Sequence, residues 1–571
     1  ADSLVKEVRK YKQSLFEKVS DFGLDLTANY MLIRIHLLKF LAILPNLEHD
    51  KTGEEVKRIF LETLRRLIHD SQLADQKGLK GQMRALPSHY VFIMSVMNKF
   101  CSWIPPKVLA AFLRFSVSTM AKRFIAGVDI KKASGSLGSL RKSGRDSTID
   151  QLGELVVSAP EADLYMERVL EIIHGINQNN VRGEKNAAGI LRSHVSIKVS
   201  ALAHDFKPQD FLYTYEQVAP RLIKILTTAK SEQVFINIDA EHYHFRDIVF
   251  EVYKKVLLET ESLKGYDQTG IVVQAYLRDG IDHLLDVISL AKTRGIRMPI
   301  RLVKGAYWDA ETIEADAHNF TAPQFLNKEE TDVHFRQLIF KCLEQGEHIV
   351  LAVASHNIQD HCFSEAMRET MFPDAPVIEH QCLHMTYEAL SIGLSEMNWP
   401  TRNYIPVGDL LVGMAYLVRR IMENSSQVGV LTIMRSHKKG NLFRVPYDVL
   451  KSKKEDNSYV NDQSLNNLTK EFRNIFPLRS YLMPHFELVK DQLTKDLKEL
   501  KEGKIYYSEG DVEVVSSSHP DLVIGKVKYD SEQEVDQKIE NLFKGFNEND
   551  WRTSSAKRFG ILHKLADLML H

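Results

Sequence analysis

Short β-branched runs alternate with helix-length amphipathic segments from residue 146 to about residue 430. There are eight such runs, each followed by a helical pattern: STIDQLGE, HVSIKVSAL, VFINIDAE, GIVVQAYL, MPIRLVKGAY, HIVLAVASHN, PVIEHQCLH and NYIPVG. Near-continuous apolar strands that alternate with helices are typical of a parallel sheet covered on its outer face. Eight units predict the α/β class and a (βα)8 barrel, distorted but TIM-like. An open doubly wound sheet is the alternative, although no GxGxxG follows any strand to support a dinucleotide site.

The segments on either side of this region have other patterns. Residues 1–145 look helical throughout, with prolines at positions 45, 87, 105 and 106, and predict a helical arm and α-domain. Residues 431–505 are polar and helix-prone, which predicts a helical linker ending in KDQLTKDLKELKEGK. Residues 506–571 predict two short strands around a turn and then a helix with Trp551, a partial α/β segment. The predicted domains are therefore 1–145, 146–430, 431–505 and 506–571.

Composition narrows the classes of function. The 571 residues suffice for two or three domains, and 44% hydrophobic with 26% charged residues describe a globular protein with a large core. The formal charge is −1, so the chain has no electrostatic footprint for nucleic acid. The four cysteines have no CxxC spacing, which argues against structural zinc or disulfides and favours free thiols in a reducing compartment. HExxH and GxSxG are also missing, so metal hydrolysis and serine acyl transfer lack their residues.

The most apolar stretch lies near the amino terminus. No secretory signal is visible, and no apolar run reaches the roughly 18 residues of a membrane-spanning helix. The stretch YMLIRIHLLKFLAILP is interrupted by Arg34, His36 and Lys39, which predicts an amphipathic packing helix. The expected location is cytoplasmic, and a peripheral contact with the inner membrane is left open. Because the chain does not begin with methionine, we expect a processed or engineered piece.

Polar and charged side chains collect where the predicted strands end. A (βα)8 barrel places functional groups at the carboxyl ends of its strands, so these side chains are expected to share one face. In chain order they are Asp150, Glu154, Lys198, Asp239, Glu241, Gln274, Arg301, Lys304, Ser355, His356, Asn357, Gln381 and Tyr404. Polar residues often punctuate single strand ends, but coincidences on all eight strands favour an active site.

Four residues mark the helix predicted after the eighth strand, in the run AYLVRRIMEN. Tyr416, Arg419, Arg420 and Glu423 fall at positions i, i+3, i+4 and i+7, which share one face of a helix. Two neighbouring guanidinium groups can bind a carboxylate bidentately, so this stripe predicts a carboxylate clamp. A solvated helix face with an ordinary Glu/Arg pair is the alternative.

The loop VKGAYW after the fifth strand has the residue types of a cofactor site. Gly305 lacks side-chain bulk and would let Lys304 approach a ligand closely. Together with Arg301 and His356, Lys304 would form a cationic rim suited to a pyrophosphate. Trp308 offers a flat surface for an aromatic ring, or else is a core aromatic. The amides available for a polyhydroxyl chain or a flavin carbonyl edge are Gln274 and Gln381.

The motifs RLVKGAYWDAE, YIPVG and AYLVRRIMEN, in this order, strongly resemble the proline dehydrogenase domain of the bifunctional proline utilization A flavoenzymes. TIDQLGE, SIKVSAL, INIDAE, ASHN and EHQCLH extend the resemblance over roughly residues 85 to 440. Residues 506–571 resemble the opening of an aldehyde dehydrogenase fold, so we expect a truncated bifunctional protein with only the first activity. The family commonly has threonine in place of Ser355, and this departure keeps the hydroxyl.

The resemblance implies roles for individual residues. Lys198, Arg419 and Arg420 would bind the substrate carboxylate, and Asp239 would orient the region around Lys198. Glu154 would pair with Arg419 as an ion-pair gate over the site. The residues around the proline ring would be Tyr404, Tyr416, Tyr307 and Leu302 or its neighbours. FAD would be held by Gln274, Arg301, Val303, Lys304, Gly305, Ala306, Trp308, Ser355, His356, Asn357, Gln381, Leu383 and Glu423.

The implied reaction is hydride transfer from the carbon beside the ring nitrogen of L-proline to flavin N5. The product would be Δ1-pyrroline-5-carboxylate, in the first step of proline catabolism to glutamate, and a membrane quinone would reoxidise the flavin. Tyr404 is expected to exclude a 4-hydroxyl group and so to favour proline over 4-hydroxyproline. The rival enzyme is a (βα)8 aldolase or lyase with Lys198 or Lys304 as a Schiff-base lysine. A scaffold built on a degenerate barrel is the non-enzyme alternative, and an oligomer of the full-length protein is left open.

Overall fold

The computed structural model describes most of the chain. The described residues are 2–11, 26, 29–47, 49–121, 125–153, 156–178, 182–318, 320–408, 478–505, 507–549 and 551–570. The chain divides into two compact units, Ala1–Tyr459 and Val460–His571. The domain boundaries predicted at residues 145, 430 and 505 lie inside these units and stay predictions.

Eight parallel strands close into a barrel in the first unit, in the order of the sequence. Their bounds are β1 Asp146–Gln151, β2 His194–Ile197, β3 Phe235–Ile238, β4 Thr269–Gln274, β5 Met298–Val303, β6 Ile349–Ala354, β7 Glu379–Leu383 and β8 Thr401–Val407. Each predicted run overlaps one of these strands. The closing pair is β1 with β8, in which residues 146–151 face residues 402–407. The (βα)8 prediction is therefore confirmed, and the open-sheet alternative is wrong.

Strand register separates the side chains of the barrel into two sets, because directly paired residues point to the same side of a sheet. One set is mostly apolar and faces the surrounding helices, where Ile197, Ile238 and Leu302 are fully buried in the main core. The other set faces the lumen and includes the pairs Thr148–Tyr404 and Asp150–Ser196. The carboxylate and guanidinium groups of the barrel strands thus all belong to the lumen set.

Helices follow the strands from β1 to β7. Their bounds are Ala159–Ile176, Phe211–Glu232, Tyr243–Glu259, Gly280–Arg294, Lys328–Glu344, Ile358–Met371 and Glu388–Glu396, with an extra helix Trp308–Ala317 after β5 and 3-10 segments Val199–Leu202 and Glu261–Leu263. Polar caps fix three of the starts, since the side chains of Asp210, Asn327 and Asn357 accept hydrogen bonds from first-turn backbone N–H groups. The helix predicted after β8 lies outside the described residues.

The amino-terminal region is helical where it is described, as predicted. Its helices are Asp2–Lys10, Met31–Ile43, Glu54–Gln76, Ser88–Trp103, Pro106–Ala121 and Ile130–Lys142, with 3-10 segments Leu44–Leu47 and Gly81–Met83. Pro87 precedes one helix and Pro106 begins another, in line with the preference of proline for helix starts. The apolar stretch near the amino terminus forms the predicted packing helix, with Leu32 and Phe40 buried.

The helices Ser88–Trp103 and Pro106–Ala121 keep a large apolar face exposed. The side chains that are more than half exposed there are Phe92, Ile93, Val96, Phe100, Trp103, Val108, Phe112 and Phe115. Their buried sides, with Cys101 and Leu109, pack in a small core against Phe40. Single exposed hydrophobic residues are ordinary, but a group of this size marks a surface for interaction.

The second unit contains a small sheet and helices. Its strands are β9 Tyr507–Glu509, β10 Val512–Val515 and β11 Val523–Val527, in the order β10-β11-β9, with β10 antiparallel and β9 parallel to β11. Its helices are Met483–Lys501, Glu532–Glu548 and Ser555–Leu570. The two strands predicted around a turn are β10 and β11, and the helix predicted over AKRFGILHKLADLMLH is Ser555–Leu570. The structure differs in three respects: β9 pairs in parallel with β11, a further helix spans Glu532–Glu548, and Trp551 lies in a turn between two helices. Local turn signals do not reveal a parallel pairing of this kind.

Within the described part of the chain, no helix combines the length and apolar character needed to cross a bilayer. The same part contains no group of three or more histidine, cysteine or acidic side chains arranged to hold a metal ion. All four cysteines are free thiols, as the spacing predicts.

Candidate active site

Eight of the predicted site residues belong to the lumen set of side chains. By strand register and alternation they are Lys198, Asp239, Gln274, Arg301, Val303, Gln381, Leu383 and Tyr404. Leu302 faces the core instead, so its neighbours Arg301 and Val303 are the ones that can line a pocket. The parallel barrel therefore brings residues far apart in sequence to one end of one lumen.

Asp239, directly after β3, is the centre of the lumen network. Its Oδ1 accepts hydrogen bonds from Arg301 Nη1 at 2.7 Å and from Asn237 Nδ2 at 3.1 Å. Its Oδ2 accepts one from the Tyr404 hydroxyl at 2.7 Å. The Arg301 guanidinium also lies over the Tyr404 ring, 5.4 Å from its centroid. One carboxylate thus orients a cation from β5 and a phenol from β8.

Lys198, directly after β2, has Asp150 as its hydrogen-bond partner. Its Nζ donates to Asp150 Oδ1 at 2.7 Å, whereas Asp239 Oδ2 lies 3.9 Å away. The backbone N–H of Lys198 donates to the Tyr165 hydroxyl at 3.1 Å, which fixes the chain where the strand ends. The resemblance implies that Asp239 orients the region around Lys198, and this stays a prediction. The direct contact is with Asp150, which sequence reasoning placed on this face without giving it a role.

The two carboxylates and two cations of this cluster balance in charge. Lys198, Asp150, Asp239 and Arg301 are all buried, and a buried charge is tolerated only when it is paired. An anionic ligand bound beside this cluster would therefore need positive charge from residues outside the cluster. Burial, followed by the charges of Asp150 and Asp239, raises the pKa of Tyr404 well above its usual value, so the phenol is a neutral hydrogen-bond donor.

The loop after β5 holds Lys304 and Gly305 in fixed positions. Gly305 has φ +136°, and a Cβ there would lie 2.3 Å from the Tyr276 ring, so only glycine fits. Lys304 Nζ contacts Asp332 and lies 2.9 Å from Asp360 Oδ2. Burial alone would lower the pKa of Lys304, but Asp360 and Asp332 raise it on balance. The predicted cationic rim is thus partly neutralised by carboxylates of the protein itself.

The same loop continues into the helix Trp308–Ala317. Ala306 is exposed, and the Tyr307 ring lies 4.2 Å from that of His242. Trp308 is 41% exposed, and its Nε1 donates to the carbonyl oxygen of Phe325 at 3.0 Å. The alternative that Trp308 is a core aromatic is therefore wrong, and its indole offers a flat surface at the barrel end.

The turn between β6 and the next helix consists of three predicted residues, Ser355, His356 and Asn357. The Ser355 hydroxyl donates to Asp360 Oδ2 at 2.7 Å. Asn357 caps the helix Ile358–Met371 through its side chain. His356 Nε2 accepts from the backbone N–H of Leu383 at 3.1 Å, which joins this turn to the end of β7.

The two glutamines of the predicted cofactor site differ in their contacts. Gln274 Nε2 lies 3.5 Å from the carbonyl oxygen of Glu241. Gln381 Nε2 donates to Glu379 Oε1 at 2.6 Å, toward the start of β7. Glu379 in turn receives two hydrogen bonds of 2.9 Å from Arg402, and both residues are fully buried. Gln381 is therefore tied to a charge pair at the amino-terminal end of the barrel.

Five predicted site residues lie outside the described residues: Glu154, Tyr416, Arg419, Arg420 and Glu423. The carboxylate clamp and the ion-pair gate therefore stay predictions. The other predicted residues lie in a strand or in the segment that follows it, and Trp308 begins the helix after β5.

Sequence reasoning missed part of this network. Ser196 Oγ accepts from Arg301 Nη2 at 3.0 Å, and strand alternation alone could have found it, because it lies two residues before Lys198. The carboxylates of Asp332 and Asp360 have no comparable signal. They lie on helices that approach Lys304 only in the folded barrel.

A closed barrel of eight parallel strands with buried charged groups at their carboxyl ends defines a (βα)8 protein of the enzyme type. Residues 133–432, more than half of the chain, match the family model described as proline dehydrogenase. The chain therefore belongs to the proline dehydrogenase family.

Similar proteins agree with this assignment. The chain is 32% identical over 319 residues to the bifunctional protein PutA of Escherichia coli (strain K12), covering 54% of this chain and 23% of that protein. It is 28% identical over 318 residues to proline dehydrogenase 1 of Bacillus subtilis (strain 168), covering 56% of this chain and 91% of that protein. The crystal structure of PutA from Bdellovibrio bacteriovorus inactivated by N-propargylglycine shares the fold, with a TM-score of 0.76 at 23% identity, covering 100% of this chain and 56% of that one.

The matched region is about a quarter of the length of the PutA relatives. The aldehyde dehydrogenase-like start predicted for residues 506–571 stays a prediction.

Proposed function

We propose that the barrel oxidises L-proline to Δ1-pyrroline-5-carboxylate with bound FAD, and that a quinone accepts the electrons. The observation that supports this most is the buried lumen network around Asp239, with Lys198, Arg301 and Tyr404, in a barrel of the proline dehydrogenase family. Buried, paired charges at the catalytic end of a barrel are costly unless they serve a site.

Residues of the chain would bind and orient the amino-acid carboxylate. An ammonium group can donate three hydrogen bonds, so Lys198 can donate to a substrate carboxylate while it also donates to Asp150. Because the charges of the described cluster balance, Arg419 and Arg420 supply the additional positive charge. Tyr404, a neutral phenol fixed by Asp239, packs against the substrate ring and excludes bulk beside it.

Three features fit FAD. Gly305 packs its Cα against the Tyr276 ring while the residue itself stays exposed, and Trp308 exposes its indole beside that loop. Arg301 Nε is buried and has no hydrogen-bond partner among the described residues, so it can donate to an acceptor on a ligand. Bound FAD supplies the two-electron acceptor for the oxidation. The other residues that would hold it are Gln274, Val303, Lys304, Ala306, Ser355, His356, Asn357, Gln381, Leu383 and Glu423.

The Schiff-base lyase is less well supported. A lysine must lose its proton before it can attack a carbonyl carbon. Lys198 is hydrogen-bonded to Asp150, and Lys304 lies against Asp332 and Asp360. These carboxylates favour the charged ammonium at both positions.

Turnover of the FAD-loaded protein tests the proposed reaction. L-proline is supplied with an artificial electron-accepting dye, and o-aminobenzaldehyde traps the pyrroline product as a coloured adduct. We expect Lys198→Met to lose most activity while it retains FAD, and the exposed Lys207→Met to behave as wild type. Absence of the adduct with FAD-loaded wild type would contradict the proposal.

Electron transfer to a membrane quinone requires contact with a bilayer. The exposed face of Ser88–Trp103 and Pro106–Ala121 supports such a contact, because aromatic side chains such as Trp103, 81% exposed, favour membrane interfaces. Between Asp75 and Asp129 the sequence has no acidic residue, but has lysine or arginine at positions 77, 80, 84, 99, 107, 114, 122 and 123. This charge suits an anionic lipid surface. The protein would then act from the cytoplasm as a peripheral protein of the inner membrane.

Vesicle sedimentation tests the membrane contact. We expect binding to vesicles that contain phosphatidylglycerol, weak binding to pure phosphatidylcholine, and loss of binding in Trp103→Ser/Phe112→Ser. Leu212→Ser, an exposed apolar position on a barrel helix, is the control. Equal binding by wild type and the double variant would contradict a contact through this face. Self-association that the double variant abolishes would show instead that the face joins copies of the chain.

A further inference from the structure

A chain of three buried hydrogen bonds lies behind the turn Ser355–Asn357. His361 Nε2 is 2.8 Å from the carbonyl oxygen of Ser355, and His361 Nδ1 is 2.9 Å from His380 Nδ1. His380 Nε2 is 2.9 Å from Glu365 Oε1. Both histidines are fully buried and Glu365 is 3% exposed. The three side chains come from β7 and the helix Ile358–Met371, outside the lumen.

A count of protons shows that these three hydrogen bonds need one proton more than two neutral histidines and an ionised glutamate supply. Each of the three hydrogen bonds requires one proton between its heavy atoms. Two neutral imidazoles supply one N–H each, and an ionised carboxylate supplies none. A carbonyl oxygen only accepts, so the Nε2–H of His361 is committed to Ser355. Without a third proton, one contact would set two lone pairs against each other in a buried site, which is costly.

The surroundings place the additional proton on His380. Arg368 Nε lies 2.9 Å from Glu365 Oε2, which favours the ionised carboxylate. The Trp399 ring stacks on the His380 ring at 4.9 Å, as suits an imidazolium. Burial would raise the pKa of Glu365, but its contacts with His380 and Arg368 lower it on balance. Burial lowers the pKa of His361, and the other titratable groups that act on it are His380, His356 and Lys304.

We infer that His361, His380 and Glu365 form a proton-holding triad, with His380 as an imidazolium, that positions the turn Ser355–Asn357. The triad holds the Ser355 carbonyl through His361, while Asp360 holds the Ser355 hydroxyl. Through the backbone it therefore determines where His356 lies, which is a residue of the proposed cofactor site. The three residues are positioning residues, since none of them lines the lumen. Only the effect on FAD rests on the proposed function.

Histidine NMR tests the proton count directly. In the FAD-free full chain with ¹⁵N-labelled histidine, the signals that disappear in His380→Gln belong to His380. We expect both of its nitrogens to carry protons at pH 7, and only Nδ1 to do so in Glu365→Gln, whose amide can donate to a neutral ring. A neutral His380 in the wild type would overturn the inference, and it would do so whether or not the protein oxidises proline.

FAD affinity tests the positioning role. Glu365→Leu removes the partner of His380, and we expect its dissociation constant for FAD to rise roughly tenfold. Glu365→Gln should restore affinity to within about threefold of wild type at pH 7, because it completes the three hydrogen bonds without an extra proton. Glu365→Gln also lacks the charge of Glu365 and therefore controls for its loss, and equal affinities in Glu365→Leu and wild type would contradict the role.

Discussion

The hydroxyl of Tyr404 donates to Asp239 across the barrel lumen over 2.7 Å, although β1 and β2 separate their strands around the barrel. The acceptor is a carboxylate that also pairs with Arg301, so the bond is charge-assisted and stronger than a neutral one. The phenol ring is therefore fixed over the site that we assign to the substrate.

We expect Tyr404 to exclude a 4-hydroxyl group from the substrate ring. The ratio of kcat/KM for L-proline to that for 4-hydroxyproline should be high in the wild type and should fall in Tyr404→Ser, which opens space. Tyr404→Phe keeps the ring and loses only the bond to Asp239, so its ratio should stay close to that of wild type. Equal kcat/KM values for the two substrates in the wild type would contradict this role.

The arginine pair should be the main determinant of proline binding. Arg420→Met, or Arg419→Met, would remove one arm of the predicted carboxylate clamp, and loss of one partner of a buried charge pair costs about 2–5 kcal/mol. This corresponds to a rise of about 30-fold to several thousand-fold in KM for proline. FAD absorbance should stay at the wild-type level, and Arg168→Met on an exposed helix position should have no effect. An unchanged KM for proline in both variants would contradict the assignment of Arg419 and Arg420 as a carboxylate clamp.

Gly305→Ala should disturb the loop that carries Lys304. The added Cβ would meet the Tyr276 ring at 2.3 Å, and φ is +136°. We expect a loss of roughly 1–3 kcal/mol in the free energy of unfolding together with weaker FAD retention. Gly295→Ala, with φ +66° and open space around it, isolates backbone strain from the clash. Equal thermal midpoints and equal FAD contents in the two variants would show that the Tyr276 contact is unimportant.

The buried pair Arg402–Glu379 should be sensitive to loss of one partner. Arg402→Met leaves Glu379 charged and fully buried, which costs about 3–5 kcal/mol of unfolding free energy. Adding Glu379→Leu to this variant should recover part of the loss, because the uncompensated charge of Glu379 is then removed, while the buried Asp146 keeps its ion pair with Arg192. Urea unfolding measures both, with the exposed Arg58→Met as a control expected to match wild type. If Arg402→Met is as stable as the wild type, the barrel must relax around the unpaired charge of Glu379.

Two buried histidines should make the protein less stable in acid. Burial first, and then nearby arginines, lower the pKa of His283 and of His384 from 6.5 to about 4. Between these values the unfolded chain binds protons that the folded chain does not, so stability falls as the pH drops from 6.5 to 4. Each histidine contributes roughly 1.4 kcal/mol per pH unit over this window. His384→Gln should reduce the slope of unfolding free energy against pH, and an unchanged slope would exclude a contribution from His384.

Much of the first unit follows from local patterns in the sequence. The eight strands appear as β-branched runs because each is buried on both faces, and helices separate them at regular intervals. The predicted lumen residues follow from the same pattern, since parallel strands that close into a barrel must bring their carboxyl ends together. The exposed position of Trp308 does not follow, because an indole beside a strand suits a core as well as a surface.

The partners of the charged residues could not be predicted in the same way. Asp360 does not directly follow a strand but lies in the first turn of the helix Ile358–Met371. It nevertheless contacts Lys304 and Ser355. Such contacts depend on the position and tilt of each helix relative to the end of the barrel. The hydrophobic periodicity of the sequence does not specify that position. The hydrogen bond between His361 and His380 likewise joins a helix to a strand across 19 positions of sequence.

The absorbance spectrum of the FAD-loaded protein, recorded without oxygen before and after addition of L-proline, tests the central claim most directly. We predict flavin bands that bleach with L-proline in the wild type and bleach far less, at equal proline, in Lys198→Met. Bands that persist in the wild type would leave a flavoprotein with another substrate. A protein that cannot be loaded with FAD would contradict the assignment of the barrel.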